Sequence, residues 1–95
     1  LPYIKDKDRD RLDPTLEHTW PTGVHRCDSA ENPGELNFQI TMLCDDYLGN
    51  RGISYAVLNE VIGALECAKL EMYRRLVAPY EDKKIKENGD VYCSL

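Results

Sequence analysis

The stretch Ser54 to Pro79, SYAVLNEVIGALECAKLEMYRRLVAP, constrains this chain more than any other. At 100° per residue, Val57, Leu58, Val61, Ile62, Leu65, Ala68, Met72 and Leu76 fall within one continuous apolar arc, the signature of an amphipathic helix. Ser54 is placed to cap it, and Pro79, which has no N–H to continue the ladder, is expected to break or kink it. A helix over 55–78 has a length of about 36 Å. Ala64 and Ala68, four apart inside the arc, would let a partner helix approach closely.

A second, shorter helix is expected over 33–48. Asn32 is a candidate N-cap, Pro33 suits the first helical position, and Leu36, Ile40, Leu43 and Tyr47 recur at spacings of four, three and four, with Phe38, Met42 and Cys44 widening that face. Gly49 is expected to terminate it, and the connector Gly49–Ile53 is short enough to make the two helices antiparallel neighbours. One long helix with one shorter partner leaves apolar surface uncovered. A homodimer or a higher symmetric oligomer is the simplest remedy.

The flanks are more polar. Residues 1–12 contain the alternating run KDKDRDR and read as a solvated charged arm, with Tyr3 and Ile4 as apolar handles. Asp13-Pro14 reads as the start of a short helix with Glu17 in its first turn, stopped by Trp20-Pro21-Thr22-Gly23, with Trp20 as a packing anchor. Residues 21–34 carry loop chemistry. Beyond Pro79 a short polar helix is expected, then the turn Asn88-Gly89 and an extended segment Val91–Cys93 in a tail over 79–95. The fold class is all-α, one helical domain over 1–95.

Charge narrows the function classes. Between Cys27 and Glu60 the acids Asp28, Glu31, Glu35, Asp45, Asp46 and Glu60 face Arg51 alone, which disfavours generic nucleic-acid binding. No run of about eighteen apolar residues marks a membrane span, and no basic leader precedes an apolar stretch, so a cytoplasmic setting is expected. The four cysteines, 27, 44, 67 and 93, lack zinc-finger spacing and read as reduced thiols.

Four groups are candidate sites. Asn59, Glu66 and Tyr73 recur every seven residues along the edge of the apolar arc, with Lys69 beside them; a half-buried carboxylate next to a lysine suits general acid–base work or a polar ligand, or else a network that fixes register in an oligomer. Arg51, Gly52 and Ser54 sit where a helix N-terminus offers free N–H groups to an anion, or form a plain turn. Tyr73, Arg74, Arg75 and Tyr80, followed by Lys83, Lys84 and Lys86, interleave aromatics with cations, as a nucleotide-like ligand requires, though cations at a helix C-terminus are stabilising anyway. His18, His25, Cys27 and Asp28 are zinc-type ligands, but their spacing matches no recognised pair and no metal or other cofactor is expected.

The strings PYIKDKDRDRLDP, GELNFQIT and SYAVLNEVIGALECAKLEMYRRLVAPYEDKKIKENGDVY resemble a family of small proteins of unknown function encoded by bacteriophages and prophages. The resemblance covers residues 2–14, 34–48 and 54–92, and the stretch His18 to Asn32 departs from it, a more continuous helix being expected where TWPTG stands. It implies a phage accessory role in a bacterial cytoplasm and carries over no catalytic residue. The expected function is therefore non-catalytic: a small oligomeric helical protein that binds a host protein or a small nucleotide-like ligand, in an accessory or anti-defence role. The alternatives are a structural or morphogenetic phage component and a small enzyme using Glu66 and Lys69.

Overall fold

The computed structural model describes residues 2–16, 18–20, 23–25 and 27–94, with the backbone alone described at 18–20 and 23–25. Helices α1 (Asp6–Leu12), α2 (Pro33–Arg51), α3 (Tyr55–Met72) and α4 (Ala78–Asn88) dominate, and a π-helical turn, Tyr73–Val77, joins α3 to α4 without a break. The helical class is as the periodicities require. Strands β1 (His18–Trp20) and β2 (Gly23–His25) form the one sheet among the described residues, an antiparallel hairpin pairing His18 with His25, Thr19 with Val24 and Trp20 with Gly23. Two compact units divide the chain, Leu1–Leu58 and Asn59–Leu95.

In the first unit, α1 replaces the expected charged arm. At helical spacing the alternating charges meet at i,i+3: Arg9 reaches Asp6 at 3.3 Å and Arg11 reaches Asp8 at 3.1 Å. The helix closes with the Asp13 N–H donating to the Arg9 carbonyl. Asp13-Pro14 therefore follows a helix instead of starting one. The Asp13 carboxylate accepts from the Thr15 N–H at 2.9 Å and from its hydroxyl at 2.7 Å, a local turn that competes with helix formation. The helix expected onward to Trp20 gives way to the hairpin, whose Thr, Trp and Val suit strands, and β2 occupies part of the expected 21–34 loop. Glu17, Pro21 and Thr22 lie outside the described residues, as does the side chain of the proposed anchor Trp20.

Helix α2 begins as its sequence demands. The Asn32 side chain accepts from the Glu35 N–H at 2.9 Å, Pro33 follows, and Glu35 accepts in turn from the Glu31 N–H at 3.0 Å. It runs three residues past the expected end at 48. Gly49 stays helical, and Gly52, at φ 82°, is the C-cap, its N–H donating to the Leu48 carbonyl. Continuing to Arg51 places that guanidinium 5.1 Å from the centre of the Tyr47 ring, whereas a helical glycine costs only about 1 kcal/mol.

Helix α1 packs on α2. The buried side chains of the described residues are Leu12 and Phe38, one from each helix. The face of α2 turned to α1 is Glu35, Phe38 and Gln39, because these reach Arg11, the core and the Leu12 carbonyl. Of the expected apolar face, Phe38 is buried and Met42, Cys44 and Tyr47 are half-buried, whereas Leu36, Ile40 and Leu43 are exposed.

In the second unit, where Pro79 is expected to break or kink the helix, the helix does not break but passes through a π turn. The π turn supplies the reason. The Ala78 N–H donates to the Tyr73 carbonyl, one residue further back than in an α-helix. That widened turn comes immediately before the proline, where an α-helical register would drive its ring against the carbonyl four residues back. The helix then ends at Gly89, φ 87°, whose N–H donates to the Ile85 carbonyl. No residue of α3 or α4 is buried, so the expected packing of α2 over the apolar arc as an antiparallel pair gains no support. The tail is held by a turn in which the Asp90 carboxylate accepts from the Tyr92 N–H at 2.9 Å, and Val91, Tyr92 and Cys93 are exposed.

Candidate functional site

Of the line Asn59, Glu66, Lys69 and Tyr73, the structure brings two members together. Lys69 Nζ lies 3.5 Å from Glu66 Oε1, one turn apart, with side chains 71% and 54% exposed. The carboxylate expected to be half-buried is thus mostly solvated, and such a pair is worth little. Asn59 is also exposed. Tyr73 turns toward the C-terminus, its hydroxyl donating to the Glu81 carboxylate across the π turn. That bond, then the Glu81 charge, slight desolvation and the charge of Tyr92, holds the Tyr73 phenol above its ordinary pKa.

Cations of the third candidate, the Tyr73–Lys86 cluster, are engaged within the rod. Arg74 Nη2 donates to both oxygens of Glu71, at 3.1 and 3.2 Å, and Arg75 lies 3.9 Å from the same carboxylate, the i,i+4 pair that the sequence orientation favours. Lys84 sits 5.5 Å from the Tyr80 ring centre and 3.3 Å from Glu87. Beside them Ala68, Glu71, Met72, Arg75 and Leu76 line an open groove of about 450 Å³, and Glu81, Lys84, Ile85 and the turn through Tyr92 line another of about 310 Å³.

At the α2–α3 connector, Ser54 caps α3 as expected: its hydroxyl oxygen accepts from the Val57 N–H at 3.2 Å, which takes up one of the N–H groups an anion would need. Arg51 is stacked on Tyr47, on the helix preceding Gly52. The backbone ladder places His18 opposite His25, while Asp28 is drawn to Arg11 at 3.5 Å and Cys27 lies 3.7 Å from Gln39 Nε2. Among the described residues no group of three or more His, Cys, Asp or Glu is placed to hold a metal ion, and no helix is long and apolar enough to cross a membrane. All four cysteines are free.

Sequence inspection misses the polar hub of the first unit. Arg11 bonds Asp8, Asp28 and Glu35 at 3.1, 3.5 and 3.4 Å. The bond to Asp8 contributes most to holding its pKa above the ordinary arginine value, with partial desolvation opposing and the charges of Asp8 and Glu35 and the Asp28 bond adding. The Asp28 N–H donates to the Arg11 carbonyl at 2.7 Å. The i,i+3 match of Asp8 with Arg11 was readable; the distant partners were not.

A polar hub fastens α1 to α2 in the first unit, and the second unit is a long helical rod with exposed apolar residues, so the chain is of the small helical class. The chain belongs to the family described as Domain of unknown function (DUF6899), whose model matches residues 1–91. No curated protein and no solved structure matches the chain.

Proposed function

We propose that this chain is a non-catalytic binding protein, encoded by a bacteriophage or prophage, that works as an oligomer through the rod running from Asn59 to Asn88. One observation carries the reading. Ile62, Leu65, Leu70, Met72, Leu76, Tyr80 and Ile85 are 39% to 67% exposed along a helix with no buried residue. Helices draw most of their stability from packing of an apolar face, and so many large apolar side chains exposed along one helix point to an interaction site.

A protein surface suits this face better than a nucleotide-like ligand, because the grooves are open and Arg74, Arg75 and Lys84 already hold Glu71, Tyr80 and Glu87. The phage origin, the bacterial cytoplasmic setting and an accessory role against host defence rest on the motif resemblance. Expression of the chain in bacterial strains armed with defence systems tests the role. Restored phage plating in at least one strain, lost on Met72→Glu, is the expected result. Unchanged plating in every strain would remove the anti-defence role.

A further inference from the structure

We infer that the rod pairs with a second copy of this chain in antiparallel orientation, about a local twofold near Cys67, through Val61, Leu65, Ala68, Met72 and Leu76. This rests on the reading of the rod as the binding surface and names its occupant.

The five residues succeed one another at steps of four, three, four and four. An uninterrupted α-helix holds a seam by alternating steps of three and four, so after Met72 the next seam position would fall to Arg75. The π turn Tyr73–Val77 holds one extra residue in its turn. Leu76 therefore takes the seam position, and Arg75 moves to the flank, where it meets Glu71 at 3.9 Å. The seam stays apolar past the point where sequence periodicity alone would place a cation in it. Its second half, Ala68, Met72 and Leu76, lines an open groove together with Glu71 and Arg75.

Complementarity of the rod with itself identifies the occupant. Between Asn59 and Ala68 the charged residues are Glu60 and Glu66; between Lys69 and Leu76 they are Lys69, Arg74 and Arg75 against Glu71. The first part is acidic and the second basic. Reversing one copy lays the acidic part of each rod along the basic part of the other, with Glu60 level with Tyr73 and within about 3 Å, along the axis, of Arg75. The same reversal sets Leu65 against Ala68 and Val61 against Met72, so that the bulkier side chain faces the smaller one at the centre. A parallel pair would set Lys69 and Arg75 beside their own copies, and like charges across an interface oppose pairing.

Light scattering of the full chain should give twice the single-chain mass, and Leu65→Glu should give the single-chain mass with the far-UV helix signal kept. Should Leu65→Glu fail to fold, Arg75→Glu provides the test: it should weaken pairing several-fold, and adding Glu60→Arg should restore it. Orientation is read from spin-label distances with the remaining cysteines changed to serine. Labels on Asn88→Cys stand about 60 Å apart in the antiparallel pair, but within about 10–20 Å in a parallel one, near the helix spacing. A single-chain mass for the wild type, a Leu65→Glu chain that folds and still pairs, an Arg75→Glu defect that Glu60→Arg does not relieve, or a short Asn88→Cys distance would each overturn the inference. Single-chain mass with plating still restored would remove the pairing and leave the binding reading standing. Double mass without any plating effect would do the reverse.

Discussion

The side-chain amide of Gln39 donates to the main-chain carbonyl of Leu12, 27 residues earlier, at 3.1 Å. The same nitrogen donates to the Asp28 carbonyl at 2.7 Å. One amide thus fastens the end of α1 and the segment leading to α2 onto the α2 surface. A carbonyl deprived of its donor in a part-buried setting costs more than an exposed one, because water replaces the donor poorly. Gln39→Ala is expected to lower unfolding free energy by about 1–2 kcal/mol, measured by urea denaturation followed at the single tryptophan. An unchanged midpoint and slope would show that Gln39 is not a fastening point.

Arg11 performs the same task with charge. Its three carboxylate partners come from α1, from the segment before α2 and from the first turn of α2, and its side chain remains 39% exposed. Solvent therefore screens the cluster. Arg11→Met is expected to lower the melting temperature at low salt, with the gap to wild type narrowing as sodium chloride approaches molar concentration. A gap that salt does not alter would assign the loss to packing of the arginine stem.

These two residues also mark what sequence could and could not reveal. Caps are local, so Asn32 with Pro33 and Ser54 could be read from a few neighbours, and both act as caps. The Glu71–Arg75 pair was legible for the same reason. Asp13-Pro14 misled because the same dipeptide serves a helix start and a turn, and the choice depends on whether residues 6–12 have α2 to dock on. Gly49 and Gly52 are likewise both plausible stops, and the Arg51–Tyr47 contact favours the later one. In the candidate line, Glu66 and Lys69 meet because they stand one helical turn apart at i,i+3, while Tyr73, seven residues beyond Glu66, bonds Glu81 across the π turn. The hub escaped altogether, because Arg11, Asp28, Glu35 and Gln39 are joined by tertiary contacts alone.

Tyr73 carries a pH dependence. Its hydrogen bond to Glu81 exists only with the phenol protonated, so the folded state holds the proton more tightly than the unfolded state. The sign follows from linkage: the contribution is complete below about pH 10, the ordinary tyrosine value, and is lost as pH rises through the elevated folded value. In an ultraviolet titration of the six tyrosines, Tyr73 should ionise above the ordinary range, and Tyr73→Phe should remove that late component. Wild type and Tyr73→Phe should also converge in stability at strongly alkaline pH. A titration of Tyr73→Phe that keeps the late component would separate Tyr73 from this behaviour.

Pro79 is the residue whose effect reaches furthest, because the π turn ends two residues before it. In an α-helical register its ring would strike the Arg75 carbonyl and its nitrogen would leave that carbonyl without a donor. With Pro79→Ala both objections vanish: the new N–H can donate to Arg75, and the chain is free to close the regular 3.6-residue turn. Proline costs about 3 kcal/mol relative to alanine in a helix interior, and the π turn has already relieved part of that cost. The rod should therefore gain about 1 kcal/mol of local stability, the part of that cost the π turn leaves unrelieved. Hydrogen exchange across residues 74–80 should slow accordingly. Closing the turn also rotates Leu76 out of line with Met72 and brings Arg75 toward the seam, so self-association should weaken several-fold in the same variant. A firmer rod that pairs less well separates the two roles of the π turn, accommodation of proline and alignment of the seam. Unchanged exchange at these amides would mean that the π turn is set by something other than Pro79.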